Sequence, residues 1–191
     1  MGVAPTLAHC PPAGSNGGMV LPAVRLPTLG VSVDSTGCDV DDLVYCAAVQ
    51  VRAGGDEAWA PLVDRAVASG WVGLEALAGH GGSVADVTRD NAAGYGHSVA
   101  DTVVAVRTWD RIPDAQRTFP LADCGFRPGG SRFQERLADG SLRFEILDVA
   151  FLLRQGDVSP PVSPELADLL GTAPGERVPL AAVHAAVRAQ R

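Results

Sequence analysis

The sequence predicts an α+β domain: an antiparallel sheet of short strands with flanking helices. Three observations lead there. Short apolar stretches alternate with period two between Gly- and Pro-rich turns, which is the pattern of half-buried strands. Helical periodicity is confined to a segment in the middle of the chain and to its last thirty residues. The 191 residues are 47% hydrophobic, enough for one sizeable core.

Residues 1–18 are rich in Pro, Gly and Ser and read as an irregular lead-in. "MVLPAVRLP" and "LGVSVDST" read as two short strands. In "DVDDLVYCAAVQVRAGG" the alternation of Val49, Val51 and Ala53 favours a strand ending at Gly54–Gly55. The stretch "DEAWAPLVDRAVASGW" is helical, because Trp59, Leu62, Val63, Ala66 and Val67 fall on one face and Gly70 can close it. A short helix is expected in "GLEALAG", then a glycine-rich loop over residues 79–101. "SVADTVVAVRTWDR" and "QRTFPLADCGF" supply two more strands with a turn at Ile112–Asp114. "SLRFEILDVAFLLRQG" is the clearest strand, expected to show Phe144, Ile146, Asp148 and Ala150 on one face and Glu145, Leu147, Val149 and Phe151 on the other. Ser163 and Pro164 open a helix in "SPELADLLG", and "PLAAVHAAVRAQR" forms a second. The domain organisation expected is a lead-in over 1–18, an α+β domain over 19–160 and a helical segment over 161–191.

All 15 basic residues are Arg, against 22 acidic ones, for a formal charge of −7. That balance argues against nucleic acid, which needs a concentrated basic face. Cys10, Cys38, Cys46 and Cys124 have no C-x-x-C spacing and read as reduced, buried thiols, with no metal site. The first residues lack the basic-then-apolar order of a leader, and no apolar run reaches the roughly 18 residues of a membrane span, so a soluble cytoplasmic protein is expected.

Several stretches taken together resemble the UDP-N-acetylenolpyruvoylglucosamine reductase family, the MurB-type flavoenzymes. They are "VGLEALAGHGGSV", "NAAGYGHSVADTVVAVRTWDR", "ADCGF", "SRF" and "FEILDVAFLLRQGDVSPPV", with "AGSN" at Ala13–Asn16 similar to the end of a Gly-Gly-Gly-Ser-Asn turn. The resemblance implies an FAD-binding reductase-like fold in which FAD lies between two α+β domains and an enolpyruvyl ether is reduced with NADPH. Of the family's flavin-contacting loop the chain keeps Gly79, Gly82, Ser83, Val84, Asn91, Tyr95 and Gly96. It departs at His80 and Gly81 for Ile-Pro, Ala85 and Asp86 for Gly-Ala, and Arg89 and Asp90 for Ile-Gln. A carboxylate at Asp86 beside a pyrophosphate would cost about 1–4 kcal/mol, which Arg89 could offset. Pro128 with Gly129 or Gly130 stands where the family orients substrate with Tyr-Arg, leaving Ser131, Arg132 and Phe133.

Compared with the family the chain reads as truncated at both ends: most of the first strand–helix pair is missing before Gly14. It also stops at Arg191, ahead of the proton-donating Ser and assisting Glu. The expectation drawn from this is a reductase-like protein that has lost the reductase activity and been repurposed in bacterial secondary metabolism. It would act as a cyclase, isomerase or lyase on a small-molecule substrate without a cofactor. FAD or FMN completed by dimerisation is one alternative, and a non-catalytic binding relic is another. The candidate catalytic residues are His80, Asp86, Arg89, Tyr95 and His97, with Arg132 across the cleft. Only if a flavin is retained would Gly79, Gly82, Ser83, Val84, Asn91 and Gly96 contact it. A homodimer is expected, because missing domains would bare an apolar face.

Overall fold

The computed structural model describes residues 30–34 and 48–190. The lead-in, the strand expected at 19–27 and the cysteines at 10, 38 and 46 lie outside them. The central element is β8 (Phe144–Gln155), twelve residues long. On one edge it pairs antiparallel with β2 (Ala48–Gly54), which in turn pairs with β1 (Val31–Asp34). On the other edge it pairs with β6 (Val103–Asp110), followed outward by β7 (Ala115–Pro120). The two-residue β3 (Trp71–Val72) continues the β6 edge against the far end of β8. The antiparallel sheet and flanking helices agree with the expected fold class.

The faces of β8 differ from the simple alternation. Thr108 pairs with Ile146 but Arg107 with Asp148, so Leu147 is an extra residue on that edge, a β-bulge. The bulge shifts the parity. Phe144 and Ile146 therefore join Val149, Phe151 and Leu153 in the core instead of standing with Asp148 and Ala150. Asp148 points to the opposite face, fully buried beneath Arg52 (2.7 Å) and Arg107.

One face of the sheet carries the helices. α1 (Trp59–Ala68) buries Trp59, Leu62, Val63 and Ala66. The indole N–H of Trp59 donates to the Leu77 carbonyl at 3.0 Å, tying α1 to a single 3-10 turn, Glu75–Leu77, where a short helix was expected. Gly70, at φ +68°, follows α1 as predicted. Its counterpart Gly55 is required sterically, since a Cβ there would lie 2.1 Å from the Ile146 carbonyl oxygen. α3 (Pro164–Leu170) starts on Ser163, whose hydroxyl accepts from Leu166 N at 3.2 Å, and ends on left-handed Gly171. α4 (Leu180–Arg188) packs Leu180, Val183 and Val187 inward. Leu166, Ala167, Val183 and Val187 all enter the same core as β8.

Candidate functional site

The glycine-rich stretch is not a continuous loop. Ser83 in extended conformation opens a six-residue helix, α2 (Val84–Arg89). Its hydroxyl accepts from Asp86 N at 3.1 Å, while the Asp86 carboxylate accepts from Ser83 N (3.1 Å) and the Ser83 hydroxyl (2.8 Å). This is a reciprocal capping box. Arg89 then closes on the other carboxylate oxygen at 2.8 Å. The Ser83 backbone N–H first, then its hydroxyl and Arg89, hold the Asp86 carboxyl below the usual carboxylate range. Arg89 thus pairs with Asp86 inside the helix itself.

After α2 the chain turns at Asn91 (φ +44°) and forms a hairpin from β4 (Ala93–Gly94) and β5 (His97–Ser98). Its two-residue turn, Tyr95 at φ +54° and Gly96 at φ +80°, has the doubly left-handed backbone suited to a tight hairpin. A tyrosine there costs of order 1 kcal/mol of strain. Asn91 is a structural stitch. Its amide donates to the Arg127 carbonyl at 3.1 Å and its oxygen accepts from Ala100 N at 3.0 Å.

The structure brings the candidate residues together in pairs. His80 and Tyr95 border a groove of about 260 Å³, roofed by Val187 and Gln190 at the end of α4. Tyr95 and His97 border a second, of about 400 Å³, with Asp101 and Glu165. Asp86 and Arg89 border a third, of about 430 Å³, with Asp56, Arg111 and Glu145, and His80 and Asp86 border a further one, of about 210 Å³, with Asp90. His80 Nε2 lies 3.2 Å from the Ala93 carbonyl oxygen, so that nitrogen is engaged by the hairpin. Arg132 stands apart: its guanidinium stacks 5.0 Å from the centre of the Phe119 ring, within an edge-on cluster of Phe119, Phe133 and Phe144. Cys124 is fully buried and its thiol is pushed up to about 11 by burial, so it packs rather than attacks.

Sequence reasoning missed two features. Val187 of α4 and Gln190 just beyond it cover the glycine turn, and one carboxylate on α1, Asp64, receives both His184 (2.8 Å) and Arg188 (2.6 Å). The i, i+4 spacing of His184 and Arg188 was a readable signal that both sit on one helix face. Among the described residues no cluster of His, Cys, Asp and Glu is arranged to hold a metal, and no helix is long and apolar enough to cross a membrane.

No family model matches the chain. It is 38% identical over 169 residues to the UDP-N-acetylenolpyruvoylglucosamine reductase of Cutibacterium acnes, covering 88% of this chain and 42% of that protein. Against the enzymes of the same name from Salinispora arenicola and Thermobifida fusca the identity is 37% over 175 and 161 residues. These matches cover 91% and 84% of this chain, and 46% and 43% of the relatives. The reductase structure from Thermus caldophilus aligns with 73% of the chain and 42% of its own, at 19% identity and a TM-score of 0.45. The chain therefore spans less than half the length of the curated relatives it matches.

These relatives overturn the expectation that no cofactor is involved. They are named as reductases, reduction needs an electron carrier, and the carrier that the resemblance implies is FAD. The α2 end of the loop does not itself fit a pyrophosphate. Val84 N donates to Glu57 O (2.8 Å), Ala85 N to Gly55 O (2.9 Å), and Ser83 N and Asp86 N are held in the capping box. A Cβ on Gly82 would meet the Asp86 carboxylate at 3.2 Å, so the space beside that glycine is taken by an internal anion. Over most of its own length, and over less than half of theirs, the chain is a UDP-N-acetylenolpyruvoylglucosamine reductase-like protein.

Proposed function

We propose that the chain serves as part of an oxidoreductase acting on a UDP-linked enolpyruvyl sugar of the kind its relatives are named for. The observation that carries this reading is the 37–38% identity sustained across 84–91% of the chain. Retention of Gly79, Gly82, Ser83, Val84, Asn91, Tyr95 and Gly96 in one turn–helix–hairpin unit supports it. FAD is the electron carrier in this proposal. The first amides of α2 are already bonded, so in this proposal a homodimer supplies the phosphate donors that the loop does not offer. The purified chain, supplied with FAD, NADPH and UDP-N-acetylenolpyruvoylglucosamine, is expected to consume NADPH only when the sugar nucleotide is present. A chain that holds FAD yet shows no substrate-dependent consumption contradicts the proposal. Sedimentation equilibrium reads the dimer.

A second reading assigns the loop to proton transfer on a small molecule, as in a cyclase or isomerase. It is favoured by His80 and Tyr95 bordering one groove. Replacing His80 and His97 together by Ala is then expected to abolish turnover and leave the melting temperature within a few degrees. Turnover that survives the double change contradicts this second reading.

A further inference from the structure

α4 is held in two different ways at its two ends. At the start, Leu180 N donates to the Asp157 carbonyl at 2.9 Å, Val178 N donates to the Ser159 hydroxyl at 3.2 Å, and Pro179 bridges to Val158. This end is anchored by backbone bonds to the segment leaving β8. At the other end, the side-chain attachment is the clasp on Asp64. A single carboxylate oxygen receives His184 Nε2 at 2.8 Å and Arg188 Nη1 at 2.6 Å, from consecutive turns of α4. Asp64 belongs to α1, whose Trp59, Leu62, Val63 and Ala66 are buried, so the clasp is fixed to a rigid element.

The clasped end lies over the glycine turn. Val187 Cγ1 would stand 3.5 Å from a Cβ on Gly79, and Val187 and Gln190 roof the groove bordered by His80, Gly94 and Tyr95. Opening that groove requires the last turn of α4 to lift, which also unseats the buried Val187 from the core. Val183 and Leu180 can stay seated, because they lie nearer the anchored end.

We propose that the last turn of α4 is a strap, hinged after Val183 and clasped by Asp64, which covers the Gly79–Tyr95 groove and uncovers it when the clasp opens. Asp64 and Arg188 are each nearly half exposed, so the ion pair itself is weak, and the remaining hold on the last turn is the burial of Val187. This inference stands apart from the reductase reading, since it concerns access to the groove whatever enters it.

Hydrogen–deuterium exchange of the full chain tests it. In Asp64→Ala the amides of Val187, Arg188, Ala189 and Gln190 are expected to exchange ~3–10-fold faster, the range given by losing two partly exposed ion pairs. His80 is expected to follow, and the β8 amides to stay unchanged. The double variant His184→Gln with Arg188→Gln leaves α1 untouched and is expected to reproduce the same local pattern. Unchanged exchange at the end of α4 in the double variant overturns the clasp, even if Asp64→Ala misfolds. Acceleration spread equally over β8 in both variants also overturns the proposal, because Asp64 would then secure the whole domain and not a strap.

Discussion

Asp86 shows how one residue redirects a local structure. Its carboxylate answers the N–H and hydroxyl of Ser83 and the guanidinium of Arg89, all within one helical turn. Asp86→Ala is expected to lower stability by ~1 kcal/mol, the usual worth of a helix cap, as read by chemical denaturation. The pH dependence has a definite sign. Because the folded carboxyl titrates below its ordinary value of about 3.9, its stabilisation is complete above that pH and is lost as pH falls through the lower folded value. Denaturation midpoints of the wild type should fall on acidification below about pH 4, and those of Asp86→Ala should fall less. The Ser83-x-x-Asp86 spacing was legible in the sequence as a capping box. The density of glycines around it argued for a loop, and the short helix went unread. Gly55 is the opposite case, since no sequence rule shows that a carbonyl of a distant strand fills the place of its side chain. Gly55→Ala should cost ~3 kcal/mol, the upper end for overpacking, measured in the same way.

At the scale of elements, periodicity was informative wherever one face is uniformly apolar. α1 was placed by Trp59, Leu62, Val63 and Ala66, and β2 by Val49, Val51 and Ala53, and the structure buries these residues as expected. β8 reads as a strand in the sequence but its faces differ from simple alternation, because a bulge at Leu147, near its start, changes the parity and depends on pairing with β6. The end of the β6–β7 hairpin is secured by Asp110, which is fully buried. Arg143 meets it with two bonds, 2.9 and 2.8 Å, and Ile112 N donates to it at 3.1 Å. These bonds to Arg143, outweighing burial, hold the Asp110 carboxyl below its ordinary range. Asp110→Asn removes the charge that Arg143 answers and should destabilise the domain by ~2 kcal/mol at neutral pH. That difference should shrink as the pH falls through the folded carboxyl's titration, so melts at neutral and acidic pH check both size and sign.

Over the whole molecule, the antiparallel sheet and flanking helices follow from composition and alternation alone, and the family likeness from the order of several short motifs. The site was less legible. The six candidate residues cluster in sequence or match a motif, whereas the fold distributes five of them over several small grooves and stacks Arg132 on Phe119. Whether a loop residue faces a groove depends on what packs behind it, here α3 and α4, which approach from eighty residues away. The expectation of a cofactor-free protein weighed local substitutions such as Asp86 above the kinship of the chain as a whole. The 37–38% identity to reductases reverses that weighting. The central proposal, that FAD is the electron carrier of this reductase-like chain, is tested most directly by the visible spectrum of the purified chain after incubation with FAD and gel filtration. Flavin absorbance travelling with the protein, near one FAD per chain, is the predicted result. A colourless protein peak, with all of the FAD eluting separately, would contradict it.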